Sequence, residues 1–276
     1  MIRRHRRLRT AFVYTALAAL SLLFLFPLFW VIGLSLKTRL QMFAVPPLFL
    51  WAPTLANYAA VLHTPMFLRA LANSVAITAA AVAFSLIVGV PTAYAVARFR
   101  FPLRTTLYFG LLVMRMLPPI AVIVPMYILF DAAGLINTRT CVVLAYMTFS
   151  LPLVVWIMRG FFEELPRELE ESAWTDGASR LAAFRLVVLP LARPGLAACA
   201  VLNLLIAWND FLFAAVLTNG DTRTLPVLMA GFSGDTGINW GDMTASAVLV
   251  VTPVLLFAFA AQRHLVAGLS SGSVKG

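Results

Sequence analysis

Four stretches of this chain carry no charged residue at all: Arg9 to Lys37, Arg69 to Arg98, Arg139 to Arg159 and Asp242 to Arg263. A helix needs about 20 mainly apolar residues to cross the hydrocarbon core of a bilayer, and its backbone groups must bond to one another there. Each stretch therefore predicts a membrane-spanning helix. Two further segments qualify by length and flanks while carrying polar residues, 105–130 with Arg115 and 194–218 with Asn209 and Asp210. With 62% hydrophobic and 12% charged residues the chain is far too apolar for an ordinary soluble domain. The expectation is an all-α polytopic membrane protein forming one transmembrane domain over residues 1–276, with spans at 11–36, 70–97, 105–130, 140–158, 194–218 and 243–262.

The positive residues set a direction, because cytoplasmic flanks are enriched in Lys and Arg. With the N-terminus inside, fifteen of the 21 fall in cytoplasmic segments, five (Lys37, Arg39, Arg69, Arg139 and Arg223) fall outside, and Arg115 lies at membrane depth. Both termini are then cytoplasmic. The net charge of +10 follows from this topology, and basic residues that flank spans without forming a stripe argue against nucleic-acid binding. The basic start MIRRHRRLRT resembles a signal n-region, but the apolar run behind it exceeds a signal h-region and no small-x-small cleavage site follows, which predicts a retained helix. Cys141 and Cys199 read as apolar packing residues, and His5, His63 and His264 are too scattered for a metal site. Without a phosphate loop, nucleophile elbow or carboxylate pair, the chain is expected to have no catalytic residue, no metal and no cofactor of its own.

The segment between Arg159 and Arg193 is different in kind. It holds 6 of the 11 acidic residues. Pro166 suits a first helical position, with Glu168, Glu170 and Glu171 near the positive end of the dipole. Asp176 and Gly177 supply a stop, and Ser179 can cap a second helix with Leu181, Phe184, Val187 and Val188 at helical spacing. Pro190 and Pro194 mark the return to the membrane. Such a pattern fits a solvated amphipathic hairpin or a DNA-binding module, and the acidic first helix argues against DNA. A helical knob with small Ser172 and Ala173 and an aromatic Trp174 suits docking into a groove on another protein.

This segment resembles the EAA loop of the membrane subunits of binding-protein-dependent ABC importers. The pattern EAA, three residues, G, nine residues, I, one residue, LP is matched by Glu171, Ser172, Ala173, then Gly177, then Val187, Leu189 and Pro190, with Ser for Ala and Val for Ile as departures. NSVAIT from residue 73, PTAYAVARFRFP at 91–102, MLPPI at 116–120, AWNDFLFA at 207–214 and the terminal QRHLVAGLSSGSVKG extend the likeness to sugar permeases similar to the shorter membrane subunit of the maltose importer.

The resemblance implies a type I importer fold in a bacterial cytoplasmic (inner) membrane. It also implies that residues 159–193, with Glu171, Ser172, Ala173, Trp174, Asp176, Gly177, Leu189 and Pro190, dock into an ATPase cleft as a coupling helix. The tail 268–276, including Gly272, Ser273, Val274, Lys275 and Gly276, is implied to reach the interface of two ATPase subunits. A second homologous permease subunit and an extracytoplasmic sugar-binding protein complete the set, with the loop TNGDTRTLPVLMAGFSGDTGINWGD facing that receptor. ATP and Mg are expected on the partner ATPases, which drive alternating access of the pathway.

Polar groups at membrane depth are costly unless paired or facing water, so Arg115, Asn209 and Asp210 are candidates for the translocation path. Arg115 either lines it, pairs with Asp210, snorkels or bonds carbonyls freed near Pro118 and Pro119. Asn209 and Asp210 either meet cargo hydroxyls or stabilise a helix break. An ion-coupled secondary transporter, a membrane enzyme, and an importer for a polyol or glycerol phosphate remain alternatives, the first without a visible inverted repeat.

Overall fold

The computed structural model describes residues 2–231, 233–234 and 237–271, with side chains described for residues 10, 12–231 and 239–259. The order is α1 (Ile2–Ser35), α2 (Arg39–Met42), α3 (Ala56–Leu62), α4 (Pro65–Arg98), α5 (Arg104–Met116), α6 (Pro119–Ala132), α7 (Arg139–Glu164), α8 (Glu168–Thr175), α9 (Arg180–Ala183), a π turn (Phe184–Val188), α10 (Leu189–Leu191), α11 (Arg193–Trp208), α12 (Leu212–Leu217), α13 (Leu225–Ala230) and α14 (Trp240–Ser271). A two-residue antiparallel pair, Ser233–Gly234 with Gly237–Ile238, precedes α14.

Among the described residues four helices are long and apolar enough to cross a membrane, and six spans result if each of two bent pairs counts as one. The bent pairs are α5 with α6, and the segment Arg180–Leu191 with α11. α5 and α6 meet at 103°. Leu117 and Pro118 are both extended, with ψ 129°, the conformation that a following proline favours over the helical one. Pro119 then starts α6, where its missing N–H costs nothing. The expected span 105–130, with a kink at Pro118 and Pro119, is thus a helix broken in its middle. The expected span 194–218 is likewise two helices, α11 and α12, parted at Asn209 to Phe211.

Two compact units emerge. One is formed by the described residues within 1–65 and 229–252. Within it the end of α1 is fastened by Asn57, whose Nδ2 donates to the carbonyls of Ser35 (2.8 Å) and Lys37 (2.9 Å), and by a 2.7 Å bond between the Ser35 and Tyr58 hydroxyls. Lys37 is buried with its ammonium donating to the Leu48 carbonyl at 2.7 Å and lying 4.2 Å from the Trp51 ring centroid, so the charge is compensated.

The other unit is formed by the described residues within 66–228 and 253–276. Small residues let its helices approach closely, as is usual between membrane helices. A Cβ on Gly195 would lie 2.5 Å from the Phe161 ring, and one on Gly89 would lie 2.7 Å from Val154. The unit has two apolar cores. One gathers Ile77, Ala81, Ile123, Cys141, Tyr146, Ala207, Phe213 and Leu217. The other gathers Val90, Tyr94 and Ala97 of α4, Val154, Met158 and Phe162 of α7, and Phe184, Val188 and Ala192 of the segment that follows α8.

Candidate functional site

The polar segment folds as its local chemistry dictates. Leu165 is extended because Pro166 follows, and its carbonyl accepts from Arg98 Nη2 at 2.8 Å. The helix therefore starts at Glu168, two residues beyond the expected Pro166. α8 ends in a Schellman motif: the Gly177 N–H donates to the Trp174 carbonyl at 3.0 Å and the Ala178 N–H to the Ala173 carbonyl at 2.9 Å. This closure requires the left-handed backbone of Gly177, φ +86°. Ser179 then caps α9 by accepting from the Ala182 N–H at 3.2 Å.

The second helix is not regular. At Phe184–Val188 it widens into a π turn, with the Leu189 N–H donating to the Phe184 carbonyl. Pro190 explains the widening, since it has no N–H and its ring crowds the carbonyl one turn back. A 74° bend then separates Arg180–Leu191 from Arg193–Trp208.

The two faces of this knob differ. Glu171, Ser172, Trp174, Thr175 and Asp176 are exposed in a row over α8 and its end. Glu170, in contrast, is buried at 3% exposure. Its Oε1 lies 2.6 Å from Arg98 Nε and its Oε2 accepts from the Tyr94 hydroxyl at 2.5 Å. The Tyr94 ring sits 4.5 Å from Phe184 and 5.6 Å edge-on from Phe162. Arg180 adds a cation–π layer, 5.5 Å from Phe99 and 5.6 Å from Trp174. Leu189 and Pro190 are half-buried behind it.

Glu170, Arg98 and Tyr94 were not legible as a site from the sequence. Arg98 reads as a topological charge and Glu170 as a dipole-favouring acid. The available signal was Tyr94 with Arg98, four residues apart on one face at the polar end of an apolar helix.

A cavity of about 270 Å³ opens beside the helix break and is lined by Arg115, Tyr146, Ser150, Asp210 and apolar neighbours. Arg115 and Asp210 share this cavity, but among the described residues no ion pair joins them. Arg115 is exposed and donates to the Phe149 carbonyl at 3.3 Å. Asp210 Oδ1 accepts from the N–H groups of Phe213 (3.1 Å) and Ala214 (3.4 Å), capping the start of α12. Asn209 turns away and donates to the Leu205 carbonyl of its own helix at 2.7 Å. Of the three polar intruders, two line the cavity and one seals a helix end.

At the opposite end of α4, Asn73 is 1% exposed. Its Nδ2 donates to the carbonyls of Asp221 (2.7 Å) and Arg223 (2.9 Å), and its Oδ1 accepts from Arg139 Nε at 2.8 Å. Ser74 accepts from the Leu225 N–H at 2.8 Å, and Asn137 accepts from the Asn219 N–H and the Thr222 hydroxyl. The NSVAIT motif thus anchors the first part of the loop that follows α12. The terminal residues Gly272, Ser273, Val274, Lys275 and Gly276 lie outside the described residues.

Residues 82–271 match the family described as binding-protein-dependent transport system inner membrane component. The chain is 37% identical over 258 residues to the trehalose transport system permease protein SugB of Mycobacterium tuberculosis, covering 91% of this chain and 93% of that protein. It is 33% identical over 270 residues to the trehalose/maltose transport system permease protein MalG of Thermococcus litoralis, covering 93% and 94%. Among solved structures it resembles a chain of a bacterial ABC transporter that imports the acidic polysaccharide alginate, with a TM-score of 0.81 at 25% identity, covering 94% of this chain and 97% of that one.

Proposed function

This chain belongs to the binding-protein-dependent transport system inner membrane components, and from that premise we propose that it forms, with a second homologous permease subunit, the path of an ATP-driven sugar importer in a bacterial cytoplasmic membrane. An extracytoplasmic binding protein delivers the cargo, and two ATPase subunits supply the work. The chain contributes the pathway and the lever. ATP and Mg act on the partners.

The observation that carries this reading is the two-faced knob at residues 165–191. Its outer face presents Glu171, Trp174 and Asp176, while its rear face is buried in the core shared by α4 and α7. A surface of this kind receives a push on one side and passes it on from the other. Trehalose and maltose, named for two of the relatives, make a two-ring sugar the favoured cargo. The cavity beside Asp210 supports a place on its route, since Tyr146, Ser150, Arg115 and Asp210 together offer donors and acceptors for hydroxyls.

The test is reconstitution of the complete importer in proteoliposomes with radiolabelled trehalose and maltose. Accumulation that requires ATP and both ATPase subunits is the expected result. Accumulation by the membrane subunits alone, driven by an ion gradient, contradicts the proposal and returns the secondary-transporter alternative.

A further inference from the structure

Resting on the coupling role proposed above, we infer that Tyr94, Arg98 and Glu170 form a buried joint that locks α8 to the end of α4, so that the two move as one rigid lever. These are positioning residues. None faces the outer surface of the knob, and each acts through the helix it holds.

The geometry is specific. Glu170 is the one residue of α8 that is buried, and both of its oxygens are engaged by side chains of α4. Arg98 pairs its charge with Glu170, Nε lying 2.6 Å from Oε1, and donates from Nη2 to the Leu165 carbonyl, so a single guanidinium holds both the extended residue before the knob and the helix itself. The buried ion pair, the Nη2 bond to Leu165 and the Tyr94 hydroxyl bond meet at one carboxylate and one guanidinium, which together set the position of α8 along α4. Tyr94 reaches Glu170 with its hydroxyl while its ring packs on Phe162 and Phe184, tying in α7 and the π turn.

Stability alone is a poor reason for this arrangement. Removing two charges from water costs about as much as their attraction returns, and apolar replacement of a buried pair is often neutral or better. What an ion pair supplies and an apolar contact does not is register. Apolar side chains tolerate sliding, whereas a buried charge that slides away from its partner is left uncompensated. A segment that must convey displacement needs that property where it meets the helix it drives.

The experiment uses the complete importer carrying spin labels at Thr175→Cys on α8 and Ile87→Cys on α4, two exposed positions. The distance is read without nucleotide and after trapping with ATP, Mg and vanadate. In the otherwise wild-type protein one narrow distance is expected in both states. In the Arg98→Met, Glu170→Met double variant, which leaves no unpaired buried charge, the distribution is expected to broaden by about twofold or to shift between states. A wild-type distance that changes on trapping, or a double variant as narrow as wild type, overturns the inference. If the double variant does not assemble, Tyr94→Phe decides by the same criterion, since it removes one hydrogen bond and keeps the ring. Cross-linking of Thr175→Cys to the ATPase reports separately on docking. Docking with a loose joint in the wild type defeats the inference alone, and absence of docking defeats the coupling role beneath it.

Discussion

One amide at Asn73 serves three partners, and it shows how much a single polar side chain can organise near a membrane surface. Replacing it by Ala removes three hydrogen bonds at once, to two backbone carbonyls and the Arg139 guanidinium, from a buried amide whose partners reach toward the surface. A loss of about 0.5–1.5 kcal/mol per bond is the expected scale, since water can reach the freed partners. Asn73→Ala is expected to lower the melting temperature of the detergent-purified protein clearly, and an unchanged melting curve contradicts that role. Asp210 allows a finer comparison. Asn also caps helices, so Asp210→Asn is expected to keep transport and stability near wild type, whereas Asp210→Ala is expected to cost about 0.5–2 kcal/mol and to reduce uptake. If Asp210→Asn abolishes uptake while remaining folded, the carboxylate has a direct part in the pathway beyond capping.

Local chemistry was readable residue by residue where the partner lies within one turn. Gly177 closes α8 and Ser179 opens α9 because both motifs depend on neighbours three to five residues away. The burial of Glu170 was not readable, because its partner Tyr94 lies 76 residues away and neither residue is unusual alone. The same holds for Asn73 and a loop 148 residues on.

At the scale of elements, prolines account for most departures from straight helices. Pro118 and Pro119 were visible as a kink, but the 103° bend exceeds what a kink implies, and the extended pair Leu117–Pro118 supplies the difference. The π turn was invisible, since helical spacing of Leu181, Phe184, Val187 and Val188 does not reveal one extra residue. Pro190→Ala restores the missing N–H and removes the ring clash, so this turn is expected to relax toward regular α-helix. That rotates the segment behind Gly177 against the core containing Phe184 and Val188. Uptake is expected to fall severalfold with the complex still assembled, and wild-type uptake speaks against a role for the wide turn.

At the scale of the molecule, the apolar stretches made a multi-span helical protein legible at once, because no other fold tolerates so few charges over such lengths. The family followed from the spacing of Glu171, Gly177, Leu189 and Pro190. What composition and motif could not supply is the way α4 serves both ends: Asn73 and Ser74 fasten the loop after α12, while Tyr94 and Arg98 hold α8. One helix of 34 residues thereby joins the two regions proposed to meet the receptor and the ATPases. Gly177 tests this arrangement from the partner's side. At φ +86° a β-branched residue is strongly strained, so Gly177→Val is expected to deform the outer face and cut uptake by more than about tenfold, with the spans still inserted.

The central claim is that the exposed face of α8 is where the ATPase docks. Its most direct measurement is bifunctional cross-linking from Thr175→Cys in the assembled importer. The account predicts a product containing this chain and an ATPase subunit, diminished in the Gly177→Val background. A product with another membrane subunit only, or none while the importer remains assembled and active, would contradict it.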